Sequence, residues 1–519
     1  MQNEPVRIHH NIPQLLFHII RAHTTLCFWG RATGKTEGPG VDFTLHQTLT
    51  LPRSLGGLVS VTYDKLLSFI IPKLIKGWEK HGYYEDTHFW FRKFAPKDLK
   101  RERPFLSPTD PKHFCHWFNG SGQQLISLDR LGISNAADLD WIYADECRLF
   151  DYEKFVEVIN ANRGNADAPI KGTNKVFGDF PEHHAVLLTT DKPRDSRGEW
   201  LYDLASQADH EAVEMILMIQ EELFKLNAQL AKKRPQAEKR KIQQLINQFE
   251  SSLKDIRQDT IAVIEASTLD NIDALGTAPL KNFVRQLSDI VYRISILNET
   301  VKEVEGGFYK DLDHITHGYE AVNHDWLDAH DINHRDPQPD CRWYTDYYPS
   351  APLDIAMDTN ARINNIVTGQ GTSSVYRLQG SMYYEGRFQL LLDQWHDFYK
   401  YHPTKEVNYF HDHTDIKGRP DADIDISDEV VQILEDKGWT VHKNYIGHQP
   451  SPKARHTMWE RLFSGTYVDY PKFRYNTSTA EYWAERARMT GTIIGKTGFE
   501  KDKRDEKKAG FPQNKAPHI

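Results

Sequence analysis

An α/β chain of two consecutive domains is what the sequence predicts, on three observations. The apolar run Leu26-Cys27-Phe28-Trp29 leads into a small-residue loop that closes on Gly34-Lys35-Thr36. A second apolar run, Leu139 to Ala144, ends in Asp145-Glu146 about 110 residues downstream. Beyond residue 350, strand patterns come first and then alternate with helices, and Asp358 and Asp412 fall at strand ends. These specify a P-loop NTPase domain with a helical-hairpin insertion, followed by an RNase H-like nuclease domain. The divisions fall at 1–305 for the first domain, with the insertion at about 208–262, then a linker at 306–350 and the second domain at 351–519.

Gly30-Arg31-Ala32-Thr33-Gly34-Lys35-Thr36 follows its strand directly. In such a loop backbone N–H groups converge on phosphate oxygens, the lysine neutralises the β/γ oxygens and the threonine hydroxyl holds Mg²⁺. Trp29 occupies the place of the first glycine in the usual GxxxxGK[ST] pattern, so the loop is a variant. Asp145 and Glu146 at the tip of a buried strand have separate tasks behind a P-loop: the first acid fixes Mg²⁺, the second polarises the attacking water. A third strand, Ala185 to Thr190, ends in Thr189-Thr190 before Asp191. Hydroxyls there can bond the water or the acids and sense the γ-phosphate; ordinary β-branched strand composition explains them equally well.

Leu58 to Thr62 is predicted as a further strand, Lys65 to Glu79 as the amphipathic helix after it, and Gly120 to Leu128 as a strand before the acidic one. Gln220 to Ala231 and Gln236 to Arg257 carry apolar residues at three- and four-residue steps, among them Leu223, Leu226, Leu230, Ile242, Leu245, Phe249, Leu253 and Ile256. They read as an antiparallel pair of helices flanking Lys233-Arg234-Pro235, a basic turn that could touch DNA or a partner but reads more readily as a solvated loop. Gly306 to Ser350 has no clear periodicity and reads as a loop-rich connection. Strands are then predicted over Leu353–Met357, Ile363–Thr368, Ser374–Met382, Val407–Phe410 and Thr440–Tyr445, with helices over Phe388–Tyr401 and Asp428–Lys437.

At 519 residues the chain is too long for one core. No run has the apolar length of a membrane span, and no signal sequence is evident at the N-terminus. Cys27, Cys115, Cys147 and Cys341 stand far apart without a CxxC pair, which argues against a zinc ribbon or a disulfide framework. The formal net charge of -9 argues against a dedicated DNA-coating protein but leaves room for an enzyme that holds DNA through local basic surfaces. His9-His10 and His183-His184 lack ligand periodicity and are expected to be solvated or capping residues.

Cutting a phosphodiester with paired divalent ions needs several acids at the ends of adjacent strands. Asp358 and Asp412 are so placed, although Asp358-Thr359-Asn360 also reads as a turn and His411-Asp412-His413 as a polar edge or half of a His-x-His zinc site. For a third acid the sequence offers Asp502, Asp505 and Glu506 in a mixed charge run of the kind that is usually a solvated loop.

Taken in order, Gly-Arg-Ala-Thr-Gly-Lys-Thr, the Tyr-Ala-Asp-Glu strand, the Thr-Thr strand end and the C-terminal acidic pattern resemble the large terminase subunit of tailed bacteriophages. Pro52-Arg53-Ser54-Leu55-Gly56-Gly57, Ser267-Thr268-Leu269-Asp270-Asn271 and Gly306-Gly307-Phe308-Tyr309 match further, so the resemblance spans nearly the whole chain. It implies a motor that uses ATP and Mg²⁺ to drive double-stranded DNA into a procapsid, and a nuclease, using Mg²⁺ or Mn²⁺, that cuts concatemers. It implies that Gly30 to Thr36 cradle the nucleotide, that Arg31 approaches the γ-phosphate, that Asp145 holds Mg²⁺, that Glu146 activates water, and that Thr189 and Thr190 couple hydrolysis to movement. Gln14, upstream of the loop, is a candidate to read the adenine edge. Asp358 and Asp412 match the first two nuclease acids. The implied partners are the portal and procapsid, the small terminase subunit and further copies in a ring, with no membrane; the implied place is the bacterial host cytoplasm, not the mature virion.

The family pattern continues past a segment like Phe499 to Lys503 into a histidine and Asp-Ala, where the last metal-binding acid sits; this sequence has Pro517-His518-Ile519 instead. Three expectations follow: Asp502 substitutes, the sequence is cut short, or the nuclease is impaired and the domain serves for docking. A helicase-like or repair ATPase-nuclease is the other alternative, but a second motor domain with arginine-finger motifs is not found.

Overall fold

The computed structural model describes residues 8–130, 138–193, 196–279, 293, 296–300, 307–359, 363–413, 425–466, 470–495 and 498–501. They fall into two compact units: the first reaches to about residue 280 and includes 296–300 and Asn333–Pro337, the second takes 307–332 and the residues after 337.

The first unit is a twisted sheet of eight strands: β1 (Thr24–Trp29), β2 (Leu55–Ser60), β3 (Phe89–Phe91), β4 (Phe114–Trp117), β5 (Gly122–Ser127), β6 (Trp141–Asp145), β7 (Val186–Thr190) and β8 (Ile261–Ala266), in the order β3-β4-β5-β2-β6-β7-β1-β8. From β5 to β8 every pairing is parallel, and β3 and β4 extend the edge in antiparallel sense. Strands buried on both faces read as continuous apolar runs, which is why β1, β6 and β7 are legible in the sequence. β7 lies between β1 and β6, so the loop after β1, the acids after β6 and the threonines of β7 emerge at one edge of the sheet.

Two differences from expectation have local causes. β2 begins three residues earlier than the predicted Leu58, because Gly56 and Gly57 look like turn residues. Gly56 is nonetheless required inside the strand: a Cβ there would lie 2.1 Å from the Trp141 indole on neighbouring β6. The first helix of the insertion begins at His210, ten residues before the predicted start, since Met215-Ile216-Leu217-Met218-Ile219 is apolar on every side and shows no period.

The helices that matter for the first unit are α1 (Ile12–Ile20), α2 (Val41–Thr50), α3 (Ile71–Lys80), α4 (Tyr152–Asn160), α5 (His210–Leu230) and α6 (Gln236–Asp259). Helices α5 and α6 form the predicted hairpin, with Ile216, Leu223, Leu226, Ile242, Ile246 and Leu253 buried. Leu245, predicted on the seam, is exposed and Ile246 takes its place. All four cysteines are buried free thiols, and His183 is buried rather than solvated, 3.2 Å from Asp140. Within the same unit Arg335 donates to Glu79 Oε1 at 2.7 Å and to Glu85 Oε2 at 3.0 Å, and His334 Nε2 lies 2.9 Å from Glu85 Oε2.

The second unit is a sheet of β9 (Gly318–Tyr319), β10 (Leu353–Thr359), β11 (Ile363–Gly371), β12 (Val375–Glu385), β13 (Glu406–His411), β14 (Thr440–Tyr445) and β15 (Lys472–Asn476), ordered β14-β13-β10-β11-β12-β15-β9. An antiparallel meander β10-β11-β12 with β13 and β14 added in parallel on the β10 side is the RNase H-like arrangement. α7 (Phe388–Tyr399) and α8 (Ile426–Asp436) cover one face around Trp395, Tyr399, Val430 and Leu434. α9 (Pro452–Phe463) and α10 (Glu481–Met489), with β15, build a second cluster around Trp459, Phe473, Tyr475 and Trp483. The stretch 306–350 supplies β9 to this sheet and returns Asn333–Pro337 to the first unit.

Among the described residues no helix is long and apolar enough to cross a membrane.

Candidate functional site

The peptide from Gly30 to Thr36 bends through two left-handed residues, Ala32 (φ 58°) and Gly34 (φ 82°). Gly34 has no alternative, since a Cβ there would also meet Gln14 Nε2 at 2.7 Å. Trp29, at the place of the missing first glycine, is the last residue of β1; its buried indole donates to Ile264 O on β8, so the variant loop starts from an ordinary strand residue.

Five consecutive carbonyls of the loop accept side-chain hydrogen bonds, the first from the loop's own Thr33 and the other four from the surrounding protein. Thr33 Oγ1 donates to Gly30 O (2.8 Å), Thr268 Oγ1 to Arg31 O (2.6 Å), Asn271 Nδ2 to Ala32 O (2.8 Å), Asn11 Nδ2 to Thr33 O (3.1 Å) and Gln14 Nε2 to Gly34 O (3.3 Å). In a planar trans peptide the N–H points opposite to the C=O, so fixing these oxygens outward turns the following N–H groups toward the inside of the loop. That is the arrangement a polyphosphate needs. Asn11 and Asn271 also bond each other at 3.1 Å. Gln14 completes a capping box with Asn11 at the start of α1, so both ends of its amide are engaged on the protein.

Thr36 Oγ1 donates to Asp145 Oδ2 at 3.2 Å, and Thr189 Oγ1 donates to Asp145 Oδ1 at 2.7 Å. The lysine-threonine end of the loop and the acidic strand tip therefore face one another, with the β7 threonine on the far side. Asp145 is buried, and burial, then the charge of Glu146, push its carboxyl above the usual carboxylate value; Thr189 and Lys35 pull it part of the way back. A desolvated carboxylate beside a hydroxyl suits a hard divalent cation, and Thr36 with Asp145 would supply oxygen donors of the kind Mg²⁺ takes.

Glu146 sits at φ 57°, a left-handed conformation unusual for a side chain of its size. Its N–H donates to Asp145 Oδ1 (3.0 Å), and the side chain projects into solvent between two cations: Lys35 Nζ lies 4.0 Å from Oε1 and Arg148 Nε 3.7 Å from Oε2. Lys35 Nζ also donates to Trp29 O at 2.9 Å. Arg148 joins the acids to β7, donating from Nε to Asp191 Oδ1 (2.6 Å) and from its backbone N–H to Thr190 Oγ1 (3.2 Å). Arg31 is exposed on the loop. Sequence reasoning missed Arg148 and the roles of Asn11, Thr268 and Asn271; only the Asn-x-x-Gln capping pattern at Asn11 was a readable signal.

In the second unit β10 and β13 run parallel with Leu353 opposite Val407 and Ala356 opposite Phe410. Carried on by two residues, that register sets Asp358 opposite Asp412, on the face away from buried Leu353, Ile355, Val407 and Tyr409. Neighbouring strands lie about 4.8 Å apart, close enough for two carboxylates to share cations. Asp412 Oδ2 accepts from Gln449 Nε2 at 2.5 Å, and Arg455 Nη1 donates to Gln449 Oε1 at 3.0 Å. Asp354 is on the same face of β10 but four residues back, about 13 Å along the strand, and is bonded to Asn408; it cannot join the pair. Asp502 lies outside the described residues. Among the described residues no group of three His, Cys, Asp or Glu side chains is positioned to hold a metal ion, which leaves the His-x-His zinc reading without a third ligand.

No protein-family model and no curated protein matches the chain. Solved structures do. The chain is similar to phage large terminases. The large terminase of a thermophilic bacteriophage aligns at 12% identity over 98% of this chain and 98% of that one, with a TM-score of 0.38. The ATPase domain of a Thermus phage large terminase aligns at 14% identity over 57% of this chain and 94% of that one, with a TM-score of 0.32. The nuclease domain of the phage P22 large terminase aligns at 12% identity over 38% of this chain and 84% of that one, with a TM-score of 0.25.

Proposed function

We propose that this chain is a DNA-packaging subunit of the large terminase type, whose first domain hydrolyses ATP to drive double-stranded DNA into a procapsid and whose second domain cuts concatemeric DNA. The observation that carries the reading is the pair of hydrogen bonds from Thr36 and Thr189 onto the two oxygens of Asp145. The order of motifs along the whole sequence supports the same assignment. Loop N–H groups and Lys35 hold the phosphates, and Thr36 with Asp145 holds Mg²⁺. When bound, that cation neutralises the β/γ oxygens. Glu146, held outside the metal position by its left-handed backbone, orients the attacking water and takes its proton; Arg31 lends charge to the γ-phosphate. Thr189 and Thr190 report the change through Asp145 and Arg148. The partners in this reading are the portal and procapsid, the small terminase subunit and further copies of the chain, in the host cytoplasm.

Phosphate release from ATP by the full chain, compared with Lys35→Ala, tests the motor half. The expected loss in the variant is about 10²-fold or more, about 3 kcal/mol of transition-state stabilisation; undiminished hydrolysis overturns the assignment. A second reading keeps the ATPase and gives the other domain a docking role in place of cutting. Plasmid cutting in Mg²⁺ or Mn²⁺ separates the two, and Asp502→Asn tests whether Asp502 completes the Asp358–Asp412 pair.

A further inference from the structure

The α5–α6 hairpin supplies no residue to the loop from Gly30 to Thr36 or to the Asp145 tip, and its charge is segregated. Between Lys232 and Lys241 the chain carries six basic residues (Lys232, Lys233, Arg234, Lys239, Arg240, Lys241) against a single acid, Glu238, in a protein whose formal net charge is -9. All are exposed except half-buried Lys239. Arg234 pairs with Glu238 at 3.3 Å. The seam buried along α5 and α6 holds the hairpin together without the turn, so packing does not require this basic cluster. The α5 stem is acidic by contrast, with Glu211, Glu214, Glu221 and Glu222.

We propose that this turn is a contact surface for the phosphate backbone of duplex DNA, an inference that rests on the packaging-ATPase reading. Two features choose a nucleic-acid backbone over an acidic protein. Protein interfaces are anchored by buried aromatic and large apolar side chains; residues 231–241 expose only Ala231, Pro235 and Ala237 beside the polar and charged groups, and the exposed Phe224 and Leu245 of the hairpin belong to its stem, outside this stretch. Exposed lysines and arginines without apolar anchors match sequence-independent phosphate binding, whose affinity comes from counterion release. A translocating motor needs contacts of that kind, because it must hold every sequence it passes.

The stem is anchored on the elements that shape the nucleotide loop. Arg257, in the last turn of α6, donates to Ile19 O (2.6 Å) and Ile20 O (2.8 Å) at the end of α1, whose other end supplies Asn11 and Gln14 to the loop. Through Thr260, α6 runs straight into β8, and the residues just after β8 include Thr268 and Asn271, which hold Arg31 O and Ala32 O. DNA on the turn is therefore expected to change hydrolysis at the loop.

The test is the full-length quadruple variant Lys232→Ala, Lys233→Ala, Arg240→Ala, Lys241→Ala, which spares the paired Arg234 and half-buried Lys239. Binding of a random-sequence duplex of about 30 base pairs is measured by fluorescence anisotropy across a salt series, with basal and duplex-stimulated hydrolysis followed in the same preparations. The expected result is about tenfold or greater weakening near 100 mM salt, a log–log salt slope shallower by about 2–4, loss of duplex stimulation and unchanged basal hydrolysis. The quadruple lysine-and-arginine exchange (Lys→Arg, Arg→Lys) retains the wild-type slope. Unchanged affinity and slope in the alanine variant overturn the proposal, as does duplex binding displaced by polyglutamate alone with no change in slope, which marks an acidic protein surface. Active basal hydrolysis with an unchanged slope sinks only the turn; a wild-type chain that binds DNA through the turn but hydrolyses no ATP sinks the motor reading instead.

Discussion

The two acidic strand tips of this chain are built differently. At the end of β6, Asp145 is buried and bonded on both oxygens by hydroxyls from other strands or loops, while Glu146 next to it is turned outward between Lys35 and Arg148. At the ends of β10 and β13, Asp358 and Asp412 come from different strands, and the parallel register, carried two residues past Ala356 and Phe410, sets them opposite one another. The first tip is a shape held by the protein's own donors, with a cation partner already nearby. The second concentrates negative charge of one kind, and like charges at such a distance depend on cations to coexist. Preorganisation by the protein's own donors is thus a property of the β6 tip.

The largest test of that contrast is to remove one group from each tip and read both activities. Glu146→Gln keeps the shape and removes the proton acceptor; ATP turnover should fall by about 10²–10⁴-fold while plasmid cutting is unchanged. Asp358→Asn or Asp412→Asn should lower metal-dependent cutting by about 10²-fold or more, with ATP turnover within a factor of about two. If either variant lowers both activities equally, the sites are not separate. In the nuclease variants, raising Mn²⁺ should recover part of the lost rate, whereas no Mg²⁺ concentration should rescue Glu146→Gln.

A smaller effect probes the preorganisation itself. Asn271→Ala and Asn11→Ala each remove one bond that holds a loop carbonyl outward, about 0.5–1.5 kcal/mol apiece. The expected result is a roughly 2- to 10-fold rise in KM for ATP with a smaller change in kcat, and the two should be non-additive because the side chains also bond each other. Equal falls in kcat and kcat/KM would show that the bonds act in the transition state instead.

The smallest effect concerns stability. Asp145 is raised by burial and by Glu146, so the folded state takes up its proton more readily than the unfolded chain. Its destabilising contribution is absent below the unfolded carboxylate pKa and grows as pH rises through the folded one. Asp145→Asn should therefore flatten the fall of Tm with rising pH and raise Tm near pH 7 without nucleotide, while abolishing ATP turnover. Calorimetry from about pH 4 to 8 checks both the sign and the slope.

Much of this architecture was legible because the parallel strands are buried on both faces and announce themselves as apolar runs. β1, β6 and β7 were readable on that ground, while β10 to β14 of the second unit, partly antiparallel and half-buried, were readable from short β-branched and aromatic runs between turn residues, and so were the acids at the strand tips. What stayed hidden were features set by a partner distant in sequence. Gly56 reads as a turn until Trp141 is placed beside it, and Met215 to Ile219 has no helical period because the residues are apolar all round. The aromatic strands β3 and β4 are only three and four residues long, too short to show alternation. Around the loop from Gly30 to Thr36, Lys35, Thr36, Asp145 and Glu146 are carried by short motifs and Asn11 by its capping pattern with Gln14, but Arg148, Thr268 and Asn271 act through contacts that no local spacing encodes.

Glu85 sets a rule for dividing the chain. Burial alone would push its carboxyl up, but His334 and then Arg335 hold it below the usual value, so it contributes stability above the unfolded carboxylate pKa that fades as acid titrates it through the folded one. Both partners come from Asn333–Pro337, well past residue 305. An N-terminal fragment ended at 305 would strand a largely buried anion beside Glu79 and melt below a fragment carried through 337. Adding a peptide of residues 330–340 to the shorter piece should restore the difference.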